Sequence, residues 1–264
     1  MIKYNGKPLE INYFPDGTLR LDIAPYLISR KHIIEWKFEN NEEMATLYFL
    51  VNHIRSKDQN PIQLIMPYIP NARMDRQMQN TNVYTLKYFC NFINSLSFER
   101  VYVLDPHSYV STALLNNVEQ TDVLPYIYKA YDDIQSGNIL LFYPDEGAAK
   151  RYAKLVAKPY AVGIKKRDEF TGQIIDYKVN SFDDITGKDV LIIDDICSYG
   201  GTFYHAAKAL KELGVNNIYL YVSHCENNIL KGKIFEDDLI KKVYTTDSIF
   251  TENSEKVKVY KIGY

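Results

Sequence analysis

The chain is 264 residues long and carries 31 Lys and Arg against 33 Asp and Glu, a formal net charge of −2. At roughly 150 residues per domain that length predicts one or two domains, and a composition 46% hydrophobic and 24% charged excludes a disordered, collagenous or disulfide-stapled chain. The near-neutral balance lacks the basic excess of a dedicated nucleic-acid binder, and no apolar run reaches the ~18 residues of a membrane span, so neither partner is expected. Cys90, Cys197 and Cys225 lie far apart without CxxC spacing, which builds no zinc site or disulfide framework and fits a reducing, cytoplasmic compartment. The opening MIKYNGKPLEINYF has neither the apolar run nor the cleavage site of a signal peptide.

In chain order, Met44, Leu47, Tyr48, Val51 and Ile54 make a helical face that Asn40 or Asn41 would cap. QLIM (63–66) predicts a strand, followed by a turn-rich stretch, a helical stripe (Val83, Leu86, Phe89, Cys90, Ile93, Leu96) and the strand VYVLD (101–105). The second half repeats the alternation. NILLFYPD (138–145) predicts a strand, EGAAKRYAKLVA a helix, YAVGI (160–164) a strand, and KKRDEFTGQIIDYKV a hairpin excursion. VLIIDD (190–195) predicts a buried strand ending in acids. Phe203, Ala206, Ala207, Leu210 and Leu213 then stripe a helix that Gly214 ends, and IYLYVSH (218–224) returns to the sheet. Strand–helix alternation of this kind predicts an α/β fold with mainly parallel sheets flanked by helices. Two similar halves are expected, 1–122 and 123–264, leaving open whether the last strand returns to the first.

The segment VLIIDDICSYGGTF (190–203) carries the most chemistry. An apolar strand delivers Asp194 and Asp195 to the carboxyl edge of the sheet, where open α/β sheets bind ligands. The tight loop Ser198, Tyr199, Gly200, Gly201, Thr202 then opens a helix. Its glycines allow close backbone approach, and its N–H groups at a helix start suit a phosphate. The carboxylates suit ribose hydroxyls or Mg²⁺. A strand ending in solvated acids before a plain turn is the bland alternative, and the whole pattern is much more specific than that.

This segment resembles the loop that binds phosphoribosyl pyrophosphate (PRPP) in the type I phosphoribosyltransferase fold, which includes both transferases and ribose-phosphate pyrophosphokinases (PRPP synthetases). MPYIPNARMDRQ (66–77) resembles the pyrophosphokinase ATP-site pattern PYxxYARQDR, keeping Pro67, Tyr68, Ala72, Arg73, Asp75 and Arg76. Arg73 would stack on adenine and Arg76 meet phosphate. LDPHSYVS (104–111) resembles the family's DLH segment, so His107, beside Asp105, is implied to contact ATP phosphate or Mg²⁺. FPDG (14–17) resembles FSDGE, implying that Phe14 and Asp16 reach the adenine of a neighbouring subunit. YPDEGAAKRYA (143–153) resembles PDxGG…RA, which puts Asp145 near a metal. IKKRD (164–168) falls where the family has a catalytic Lys-x-Arg, matched by Lys165 with Arg167, with Lys166 the other choice of lysine.

The resemblance implies a diphosphotransferase in which the anomeric C1 hydroxyl of a ribose 5-phosphate unit attacks the β-phosphorus of Mg-ATP and AMP leaves. The resemblance further implies catalysis by Lys165, Arg167 and His107, with Mg²⁺ held near His107 and Asp145. A homo-oligomer, dimer or hexamer, is implied by the shared adenine site. Departures bear on the acceptor. DDICSYGGT stands where the family has DDxxDTGGT, so Ser198 replaces an acid and Tyr199 a threonine, and Thr18 replaces the glutamate of FSDGE. Ribose 5-phosphate, giving PRPP, and ADP-ribose, giving its C1-diphosphate for NAD reconstitution, both stay open as acceptors. The alternatives are a plain phosphoribosyltransferase, needing a base pocket and no ATP, and a non-catalytic regulatory paralogue.

Overall fold

The computed structural model describes residues 1–23, 30–77, 81–167, 174–181, 183–235 and 238–264, the side chains of Arg167 and Ile174 excepted. The chain divides into two units, Met1–Asp122 and Val123–Tyr264. The first begins with β1 (Ile2–Tyr4), β2 (Lys7–Pro8) and the hairpin of β3 (Glu10–Tyr13) and β4 (Leu19–Asp22), none of which the apolar patterning marks. It continues through β5 (His32–Trp36), α1 (Glu43–Lys57), β6 (Ile62–Ile65), α2 (Thr85–Ser95), β7 (Arg100–Leu104), α3 (Tyr109–Leu114) and β8 (Val118–Thr121). The main sheet runs β2-β1-β5-β6-β7-β8, parallel from β5 to β8, while β3 and β4 form a separate two-stranded sheet.

Its core joins Trp36, Leu47, Leu50, Ile54, Leu64, Phe89, Ile93 and Val101, all buried. The Trp36 indole N–H donates to Glu43 Oε2 at 2.9 Å, so the one polar group of the largest core side chain is satisfied. Three expectations are corrected here. Glu42, not Asn40 or Asn41, is the N-cap of α1, and it makes no side-chain capping bond. Asn40 Oδ1 instead accepts the Glu42 N–H at 3.0 Å, one residue before the helix starts. Tyr48 is exposed because Leu50 takes its place on the buried face, and Val83 is exposed because it precedes α2.

The second unit comprises α4 (Leu124–Asp133), β9 (Ile139–Tyr143), α5 (Glu146–Val156), β10 (Tyr160–Arg167), β11 (Ile174–Asn180), β12 (Asp189–Cys197), α6 (Gly201–Glu212), β13 (Ile218–Cys225), β14 (Lys242–Thr246) and β15 (Val257–Tyr260). Strand order is β11-β10-β9-β12-β13-β14-β15, with only the β10–β11 pair antiparallel. Every residue of β13 is buried, as expected of a central parallel strand covered on both faces. Phe203, Ala206, Ala207 and Leu210 of α6 pack on Val190, Ile192, Leu220 and Val222. Burial of Phe203 or Leu210 is worth roughly 1.5–3 kcal/mol each. Leu213 drops off this stripe into solvent as the helix ends, and Gly214, at φ +78°, closes it.

One further expectation changes. β12 does not end at its acids but runs to Cys197, because β13 stays in register beside it as far as Cys225. The last strand, β15, pairs with β14 in the sheet of the second unit.

Asp189 ties the entry of β12 to that of β13. Its Oδ1 accepts the Asn217 N–H at 3.0 Å and the side-chain amides of Asn216 and Asn217 at 2.9 and 2.8 Å. Burial pushes this carboxyl up, but these bonds and one from Ser136 outweigh burial and hold it below its ordinary value. A carboxyl depressed on folding contributes stability that is complete above its unfolded pKa, about 3.9, and is lost as pH falls through the lower folded value. The urea midpoint is therefore expected to fall on acidification below about pH 4, and to fall less steeply in Asp189→Asn.

Candidate active site

In the first unit, two loops leave the carboxyl edge of the parallel sheet side by side. Met66 N–H donates to Tyr102 O at 2.8 Å, and Leu104 N–H to Pro67 O at 2.9 Å, so the loops after β6 and β7 start as neighbours. The first is folded by two turns, Ala72 N–H to Ile69 O at 3.3 Å and Met74 N–H to Asn71 O at 2.9 Å. Ile69 and Ala72 are buried and anchor it, while Arg73 and Arg76 are exposed. The Tyr84 hydroxyl donates to Asp75 O at 2.8 Å. The Arg76–Asp75 contact, 3.9 Å with an exposed guanidinium, is weak. Asp105, buried and at φ +41°, opens the second loop, which carries the half-buried His107.

Phe14 and Asp16 are elsewhere, on the turn of the β3–β4 hairpin. Phe14 N–H donates to Thr18 O, Gly17 N–H to Phe14 O, and Gly17 takes φ +82°. Asp16 Oδ1 accepts the Thr18 hydroxyl at 2.7 Å and its N–H at 3.0 Å. Those bonds hold the Asp16 carboxyl below its usual value and leave Phe14 half exposed at the tip. Thr18 thus has a local task, ordering the acid two residues before it.

The second unit has a switch point. From β9 the chain crosses through α5 to β10 on one side, and from β12 through α6 to β13 on the other. The crevice outside the carboxyl ends of β9 and β12 is where open α/β sheets bind ligands. Asp145 lies just past β9 and caps α5, accepting the Ala148 N–H at 2.9 Å. Its other oxygen meets Lys165 Nζ at 2.5 Å. Burial opposes ionisation of Asp145, but the Lys165 ammonium and the Ala148 and Gly147 N–H groups prevail and hold the carboxyl below its ordinary value. Lys166 points to solvent instead, as strand alternation requires. Arg167 ends β10 after an irregularity in the β10–β11 register; its side chain, and residues 168–173, lie outside the described residues.

Asp194 and Asp195 stand on β12 beside this pair. Burial, then the neighbouring Asp195 and then Asp145, push the Asp194 carboxyl well above its ordinary value. Asp195 is held differently, by Arg151 from α5, with Arg151 Nη1 3.1 Å from its Oδ2. Asp195 is thus ion-paired, while its neighbour Asp194 keeps its proton to higher pH.

Past Cys197 the chain makes its tight loop. Gly200, at φ +79°, is the N-cap of α6 and makes no side-chain capping bond, and a helix N-terminus of this kind suits an anion. Tyr199 is 56% exposed. Thr202 is partly buried in the first turn of α6, and Gly201 starts it.

Patterning along the chain misses several residues of this crevice. Tyr177 of β11 crosses over Gly163 to donate to Pro144 O at 2.9 Å. A Cβ on Gly163 would stand 2.1 Å from that hydroxyl and 2.7 Å from Pro144 O, so only glycine admits the crossing. Arg151 is the second, and Glu226, which accepts the Ser198 hydroxyl at 2.7 Å, the third. Each acts across a distance in sequence that no local spacing encodes. Among the described residues, no three His, Cys, Asp or Glu side chains cluster so as to hold a metal ion by themselves, and no helix is long and apolar enough to cross a membrane.

Residues 145–261 match the family described as phosphoribosyl transferase domain. The chain is 26% identical over 259 residues to ribose-phosphate pyrophosphokinase 2 of Enterococcus faecalis, covering 94% of this chain and 78% of that one. It is 26% identical over 263 residues to the ribose-phosphate pyrophosphokinase of Bacillus caldolyticus, covering 96% and 82%. Phosphoribosylpyrophosphate synthetase of Mycobacterium smegmatis shares the fold, with a TM-score of 0.73 at 17% identity over 96% of this chain and 86% of that one. The resemblance to ribose-phosphate pyrophosphokinases therefore extends over nearly the whole chain, through both units.

Proposed function

We propose that this relative of the ribose-phosphate pyrophosphokinases is itself a diphosphotransferase, moving the β,γ-diphosphate of Mg-ATP to the C1 hydroxyl of ribose 5-phosphate and releasing AMP. The observation that carries the reading is the switch-point crevice of the second unit. There an Asp145–Lys165 ion pair flanks Asp194 and Asp195, and the next loop opens onto an uncapped helix N-terminus. Carboxylates for ribose hydroxyls and free N–H groups for the 5-phosphate stand on one stretch of chain, spaced for a single phosphorylated sugar.

Each group then has a task. Asp194 and Asp195 orient the ribose, Asp195 braced by Arg151. The N–H groups from Gly200 to Thr202 and the Thr202 hydroxyl hold the 5-phosphate. Lys165 leaves Asp145 for the transferring phosphoryl group and stabilises charge that grows as the bond to AMP breaks, with Arg167 assisting. In the first unit Arg73, Asp75 and Arg76 bind ATP and His107 meets its phosphates. Mg²⁺ prefers oxygen and needs only one or two protein ligands when phosphates supply the rest; Asp145 fits that part, and the ion would neutralise phosphate charge. Phe14 and Asp16, on an exposed hairpin tip, suit an adenine contact made by another copy, and with it a homo-oligomer.

A second reading concerns only the acceptor. The exposed Tyr199 ring beside the uncapped helix favours a 5′ group larger than a phosphate monoester, as in ADP-ribose. AMP release from Mg-ATP, with ribose 5-phosphate and ADP-ribose supplied in parallel, tests both. Release dependent on ribose 5-phosphate is expected. Release with ADP-ribose alone would replace the acceptor, and none with either would overturn the pyrophosphokinase reading in favour of a non-catalytic chain.

A further inference from the structure

Three consecutive residues of the tight loop each have a partner in one later stretch of chain. Ser198 Oγ donates to Glu226 Oε2 at 2.7 Å. The carbonyl of Tyr199 lies so close to Gly232 that a Cβ there would stand 1.9 Å from it. Gly200 faces Ile234, whose Cδ1 is 3.0 Å from where a Gly200 Cβ would be. The stretch from Glu226 to Ile234 thus follows the back of the loop residue by residue. It is itself anchored at its start, where Glu226 N–H donates to Cys197 O at 2.8 Å and so stitches the exit of β13 to that of β12. Asn228 Nδ2 supports the same carboxylate oxygen at 3.2 Å, and Ile229 N–H donates to Glu226 O at 3.1 Å to begin a 3₁₀ turn.

Ser198 has one O–H to give, and Glu226 takes it. In this arrangement the serine donates nothing to a phosphate. Its role is to tie the loop down, and the carboxylate that receives it sits outside the residues that would touch the ligand. We propose that Glu226 is a positioning residue for the phosphate loop: through Ser198 it fixes the backbone N–H groups of Gly200 to Thr202 in the geometry that binds the acceptor's phosphate. The inference rests on the reading of residues 198–202 as a phosphate loop. Charge-assisted hydrogen bonds are the strong ones, and catalysis is sensitive to misplacement of about an ångström, so its loss is expected at the acceptor rather than at ATP.

The test compares Glu226→Ala, Glu226→Gln, Ser198→Ala and Thr202→Ala in the full chain, with ribose 5-phosphate as the acceptor. It reads both KM values, kcat and the thermal midpoint, with calorimetric binding of ribose 5-phosphate as a readout independent of turnover. Glu226→Ala is expected to raise acceptor KM and Kd about tenfold with ATP KM and kcat within about twofold. Ser198→Ala should match it, and the double variant should be no worse than either single one, as for partners in one interaction. Glu226→Gln, which keeps the acceptor oxygen for Ser198, should recover most of the loss. An unchanged acceptor KM in Glu226→Ala, with a raised one in Thr202→Ala, would overturn the proposal and leave the phosphate loop standing. Unchanged values in both would overturn the two together. An equal rise in ATP KM with a lowered thermal midpoint would make Glu226 merely structural, which also overturns it.

Discussion

Lys165→Ala is expected to lower kcat for AMP release by about 10²–10³-fold, the loss typical of one preorganised group that stabilises transition-state charge, with acceptor KM changed far less. The ammonium is stored 2.5 Å from Asp145 on a strand, so it is already close to the crevice before substrate arrives. A charge that meets the phosphoryl oxygens mainly as the bond to AMP breaks shows up in kcat. Lys166→Ala supplies the comparison. That side chain faces solvent, and its loss is expected to leave kcat within about twofold, as for surface substitutions generally. Steady-state kinetics of the two variants decides between the lysines, and a large loss in Lys166→Ala with none in Lys165→Ala would reverse the assignment.

Gly232→Ala is expected to weaken the acceptor site by about 10²-fold, the cost of an ångström-scale displacement of binding groups. A Cβ at this position would lie 1.9 Å from Tyr199 O, well inside the 3.4 Å at which ordinary contact begins, and the obstacle is backbone that no side-chain rotation can move. Either the loop or the stretch behind it must shift. Tyr199 and Gly201 of the loop are exposed, while Ile229 and Ile234 on either side of Gly232 are buried, so the loop is the part expected to yield. The readout is acceptor KM against ATP KM: a rise in the first alone is the expected result, and equal rises would mean that the whole unit, not the loop, had been disturbed.

How far the molecule was legible in its sequence follows from which forces act locally. Strands β6, β7, β9, β12 and β13 are apolar runs buried in parallel sheets, and such runs stand out from their surroundings. β1 to β4 are two to four residues long and partly exposed, so nothing in their pattern separates them from loop. In β15 the interior positions are exposed and only the ends are buried, which hides it likewise. Helix α5 is readable from Glu146 onward as EGAAKRYAKLVA, while its cap, Asp145, reads in sequence as the end of the preceding strand. The cap of α1 is not readable either, because two asparagines in a row offer equal candidates and the backbone used neither.

The site divides in the same way. Asp145, Lys165, Asp194, Asp195 and the glycine loop carry recognisable patterns over a few residues each. Arg151, Tyr177, Glu226 and Gly232 matter through partners between 28 and 44 residues away, Arg151 with Asp195, Tyr177 with Pro144, Glu226 with Ser198 and Gly232 with Tyr199. Only the sheet order makes those pairs neighbours. Gly163 is the clearest case: its reason for being glycine is the hydroxyl of Tyr177 passing over it, on a strand that pairs antiparallel with its own.

In the proposed reaction the diphosphate of ATP moves as one piece to a sugar hydroxyl. The most direct test is phosphorus NMR of the purified chain with Mg-ATP and ribose 5-phosphate, followed as the reaction proceeds. AMP is expected together with a new pair of coupled diphosphate signals on the sugar, in equal amounts, beside the retained 5-phosphate signal. ADP with a single new sugar monophosphate signal, or loss of ATP with no phosphorus added to the sugar, would contradict it.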